Sequence, residues 1–149
     1  MTTHDVAEIL ARDLGRLSEE LQAYDREEDL WKTSPGISNS TGTLALHLLG
    51  NLQHYLGAVL GETGYVRDRD AEFSRRDVPR AEIVAEIERT REVVRRVVPS
   101  LDDAALGAEY PQEVAGRRMT TGYHLIHLVA HFAYHLGQVN YHRRLSGSE

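Results

Sequence analysis

The chain has 149 residues, a formal net charge of −6 and a sequence pI near 5.7. That length suits one domain, 1–149, able to bury about two-thirds of its unfolded surface. An acidic balance without a basic stripe gives nucleic acid nothing to hold, and the absence of cysteine leaves only nitrogen and oxygen to bind a metal.

The opening "MTTHDVAEIL" starts an amphipathic pattern and lacks the basic and apolar regions of a signal peptide, so a cytoplasmic location is expected. Val6, Ile9, Leu10, Leu14, Leu17, Leu21 and Tyr24 keep helical spacing and predict a first helix over 4–29. Pro35, Gly36 and Gly42 break "KTSPGISNSTG", which also supplies capping residues for a second helix over 43–60. A polar segment, "GETGYVRDRDAEFSRRDVP", crosses to a third helix over 80–98 that buries Ile83, Ile87, Val94 and Val98 and stops at Pro99. After "SLDDAALGAEYPQEVAGRRM" a fourth helix covers 120–145. No segment has strand period, so the expected class is all-α.

Asp, Glu, Lys and Arg are missing from 37–61 and from 119–142. Runs of that length can span a membrane. Here Asn51, Gln53, His54 and five later histidines make hydrocarbon costly, and no membrane partner is expected. The expectation is a bundle in which helices two and four are largely surrounded by protein. "TG", "HL" and "LG" recur at an offset of 80 residues, consistent with two related helical hairpins.

Histidine is the informative residue. There are eight, five of them between 124 and 142. At about 100° per residue, His124, His127, His131, His135, Gln138 and His142 share a stripe roughly a quarter-turn wide. Ala130, Ala133 and Gly137 fall on another side, where small residues admit a neighbouring helix. On helix two, His47, Asn51 and His54 share one face. An i, i+4 pair sets two imidazoles close enough to converge on one ion, and His47 is placed to add a third nitrogen. Spacing alone leaves His127–His131 and His131–His135 equally open, and a network of core histidines bonded to carbonyls is the competing reading.

Such a centre can act as a Lewis acid, acidify a water or hold a thiol as thiolate. A general base in the HExxH position is missing, because Phe132 follows His131. Gln138, Asn51 and His127 are candidates for supporting the ligands or touching substrate. His54, His124 and His142 read as structural or rim residues, and Tyr55 and Tyr134 as packing aromatics. "RDRD" at 67–70 reads as a solvated, salt-bridged connection or a substrate-contacting loop. No catalytic residue is assigned.

"HLLGN" at 47–51, "YVRDRDAEF" at 65–73, "HFAYHLGQ" at 131–138 and "NS" at 39–40 resemble the DinB/YfiT-like superfamily, in its branch with HLxGN and HxxYHxGQ motifs. The resemblance implies a four-helix bundle with long crossovers, often a homodimer. It also implies a divalent metal, nickel or zinc, held by His47, His131 and His135, which selects between the two histidine pairs. Several such proteins are transferases or isomerases that use a low-molecular-weight thiol. The resemblance therefore points to a metal-dependent enzyme acting on a small molecule, as a thiol S-transferase, isomerase or hydrolase. The alternative is a non-catalytic metal-binding or dimeric interaction module.

Overall fold

Hydrophobic spacing in the first segment produces α1, Thr3–Gln22, whose Leu10, Leu14, Leu17 and Leu21 are fully buried. The computed structural model describes residues 2–148. Thr2 and Asp5 close a capping box: the Asp5 amide donates to Thr2 Oγ1 at 3.2 Å, and the Thr2 amide donates to Asp5 Oδ2 at 2.7 Å. The helix ends seven residues before the expected limit of 29. Tyr24 turns into the core instead, and a 3₁₀ segment, Glu27–Trp31, carries the chain away.

Ser40 caps α2, Thr41–Leu52, accepting from the Thr43 amide at 3.2 Å. Its path continues as a π-helix over Gln53–Leu60. Two short helices lie in segments expected to be connections: α3, Arg69–Ser74, capped by Asp68, and α5, Asp103–Gly107, capped by Asp102. Between them runs α4, Arg80–Val97, ending in a 3₁₀ turn at Val98–Ser100 that contains Pro99. Thr120 caps α6, Thr121–Leu145.

Every regular element among the described residues is a helix, and none is a β-strand. α1 and α2 each pack against both α4 and α6, and the interior is one apolar cluster drawn from these long helices. Trp31 packs flat on the start of α2, where a Cβ at Gly42 would stand 2.7 Å from its ring. No helix among the described residues is long and apolar enough to cross a membrane.

One expectation needs correction. α2 is enclosed, with every residue but Leu46 buried, whereas α6 is not. Leu125, Leu128, Phe132 and Val139 enter the core, but Tyr123, Ile126, Tyr134, Tyr141 and Leu145 are each more than half exposed. Ala130, Ala133 and Gly137 also face outward, and a Cβ at Gly137 would meet nothing within 4 Å. Within the chain α6 packs against α1, α2 and α5, and these leave its outward face uncovered. The missing charges therefore mark a neutral surface, not a burial on all sides.

Candidate metal centre

α2 and α6 lie side by side, and their histidines meet. One nitrogen each from His47, His131 and His135 lies within 4.8 Å of the others, the one such cluster of three among the described residues. His47 Nε2 is 3.2 Å from His131 Nε2. Two nitrogens bound to one tetrahedral ion at about 2.0–2.1 Å stand roughly 3.3 Å apart, close to this spacing. The rings pack nearly perpendicular to one another, with interplanar angles of 81°, 86° and 88° and centroids 4.7–5.4 Å apart. His47 is buried; His131 and His135 are half-buried.

The surrounding bonds determine which nitrogens are free. Glu72 on α3 lies 3.1 Å from His47 Nδ1. An ionised carboxylate only accepts, so Nδ1 carries the proton and Nε2 keeps its lone pair. Arg67 grips Glu72 with two further bonds, Nε to Oε2 at 2.8 Å and Nη2 to Oε1 at 2.9 Å. On the other side, His135 Nδ1 lies 2.7 Å from Gln138 Oε1. With that nitrogen as donor to the amide oxygen, Nε2 of His135 is also free. Carboxylate or carbonyl support behind a metal-binding imidazole fixes both ring and tautomer. His131 Nδ1 is buried without a hydrogen-bond partner, so this ring, unlike the other two, has no neighbour fixing its tautomer from behind.

Electrostatics favour the same protonation states. Burial pushes the His131 pKa down to about 4, aided by repulsion from His135, His47, His127 and Arg67. Burial also lowers His135, opposed by its bond to Gln138. For Glu72 burial acts to raise the pKa, but hydrogen bonds from His47 and Arg67 prevail and hold the carboxyl below its usual range. At neutral pH His131 and His135 thus offer neutral imidazoles beside a charged carboxylate, the form a divalent cation requires.

The other sequence candidates fall into different places. His127 stacks on His131 with centroids 6.3 Å apart and is exposed. Asn51 is buried one turn after His47, and its Oδ1 has no partner. His142 is structural: its Nε2 donates to the Lys32 carbonyl at 2.8 Å, and its Nδ1 meets the Tyr24 hydroxyl at 2.6 Å. His124 is buried in a cage of Tyr55, Tyr110 and His127, away from the cluster.

Sequence reading missed Glu72, Arg67 and Gly50. The segment containing "RDRD" is not uniformly solvated. Arg67 is mostly buried and stacks over the Tyr55 ring at 5.7 Å. Gly50 leaves room for the carboxylate, since a Cβ there would lie 2.0 Å from Glu72 Oε2. The signal was a glycine inside a helix, one turn from a histidine, where helix propensity alone disfavours it.

An all-helical fold with a partly buried three-histidine cluster, backed by a carboxylate and an amide, defines a class of helical proteins with a nitrogen donor set suited to a divalent metal. The DinB superfamily model matches residues 9–139, and the chain belongs to that superfamily. No curated protein matches it.

Proposed function

We propose that the protein is a divalent-metal-dependent enzyme acting on a small molecule, with His47, His131 and His135 as the metal ligands and nickel or zinc as the metal. The observation that carries this reading is the convergence of three imidazoles within 4.8 Å, two of them held by Glu72 and Gln138 through the opposite nitrogen. A bound cation would supply Lewis acidity and lower the pKa of an acid that reaches it. Three protein ligands leave a position open for a ligand from solution, as catalytic sites do and closed structural sites do not.

Among reaction types, transfer or isomerisation involving a low-molecular-weight thiol is favoured over hydrolysis. A hydrolase needs a positioned general base. Glu72, the carboxylate against the cluster, is already engaged by His47 and Arg67, and its pKa lies below the ordinary range. Phe132, which follows His131, is buried and apolar. A thiol made acidic at the cation needs no such base. The chain's own residues here hold and orient the imidazoles: Glu72 keeps the proton on His47 Nδ1, and Gln138 accepts that of His135.

Calorimetric titration of mycothiol, bacillithiol and glutathione into metal-loaded protein tests this reading. At least one thiol is expected to bind with release of a proton, and His131→Ala should lose that heat. Metal-loaded protein that binds none of the three would remove the thiol reading.

A further inference from the structure

We propose that the open cleft one helical turn beyond His135 binds an uncharged small molecule with an aromatic or aliphatic body and a hydrogen-bond-accepting group such as a carboxamide. This rests on the reading of the adjacent histidine cluster as a centre that acts on small molecules. The cleft, about 510 Å³, lies between residues 36–39, Leu44 on α2, and Tyr134, Gln138, Tyr141 and Leu145 on α6. That size is typical of sites for small organic ligands.

Its chemistry is selective. Charged residues make up 27% of the chain, yet no Asp, Glu, Lys or Arg lines the cleft. An ion entering would shed water without meeting a counter-charge. His142 in the wall is occupied by Tyr24 and Lys32 on its two nitrogens. Ile37, Tyr134, Tyr141 and Leu145 instead present apolar surface, each 43–66% exposed. Such surface gains free energy when a flat apolar body covers it.

The polar contact is equally specific. Gln138 belongs both to the cleft and to the cluster: its Oε1 accepts from His135 Nδ1, which leaves its NH₂ group to donate to a ligand. An acceptor held there would sit one side chain away from a metal-ligating imidazole. The "NS" pair at 39–40 divides between two tasks, with Ser40 capping α2 and Asn39 lining the cleft.

Benzamide, benzoate and benzylammonium are close in shape and differ in charge, so they make a direct test. Each is titrated into the full chain, followed by amide chemical shifts, on wild type and on His131→Ala without metal. Benzamide is expected to perturb residues 36–39 and 134–145 with a Kd at least tenfold lower than either ion, equally in both proteins. Gln138→Glu keeps an acceptor for His135 but loses the NH₂ donor; it should weaken benzamide at least fivefold and strengthen benzylammonium. Equal or tighter binding of benzoate or benzylammonium to wild type would overturn the proposal. So would shifts confined to another face, or a wild-type dimer in sedimentation with Tyr134 and Tyr141 covered by the second copy. Failure of the metal reading would appear separately, as absence of metal from purified protein, because these titrations do not depend on it.

Discussion

At Gly50 the space of a side chain is taken by the carboxylate of Glu72, which the His47 ring and the Arg67 guanidinium hold from two sides. Gly50→Ala would improve local helix propensity by about 1 kcal/mol. It would also drive Glu72 off His47, so metal affinity is expected to fall roughly 10–100-fold, the usual cost of losing an outer partner, with the fold kept. Glu72→Gln should act in the same direction. Metal titration read by calorimetry, alongside circular dichroism, checks both, and unchanged affinity in the two variants would show that the carboxylate does not support His47. The histidines were legible because imidazoles in an uncharged helix stand out at helical spacing. Glu72 was not: it sits among ordinary charges in "RDRDAEF", and only the path of α3 over α2 brings it to the ring.

His124 sets an expectation for pH at the scale of α6. Its ring is 1% exposed with neither nitrogen hydrogen-bonded, and burial, then repulsion from His127, pushes its pKa down to about 4. The folded state therefore binds fewer protons than the unfolded state, where an ordinary histidine titrates near 6.5. This contribution to stability is intact above pH about 6.5 and is lost as pH falls towards 4, by about 3 kcal/mol in all. Urea unfolding of wild type and His124→Phe across that range should show a smaller loss in the variant; parallel curves would mean that His124 is not held neutral. On α1, Leu14→Ala should cost about 2–5 kcal/mol, measured by the same unfolding, because Leu14 is fully buried in the shared core. The helical periods of α1 and α4 were plain in the sequence because each has one wet and one dry face. α6 misled because its outward face is neutral, and composition alone does not separate a neutral surface from a buried one.

For the whole molecule, the class and the four long helices could be read from periodicity, turn residues and the absence of strand patterns. The π-helical stretch over Gln53–Leu60 and the short helices α3 and α5 could not, since they arise from how segments pack and not from a repeat in the residues. That packing brings one histidine from α2 and two from α6 together and lays α3 behind them. X-ray absorption at the metal edge of untagged, purified protein tests this arrangement most directly. The expected result is about one zinc or nickel per chain, with three imidazole nitrogens in its inner sphere and the signal lost in His131→Ala and His135→Ala. Protein that neither retains nor takes up a divalent metal, or that binds it equally well without those two rings, would contradict it.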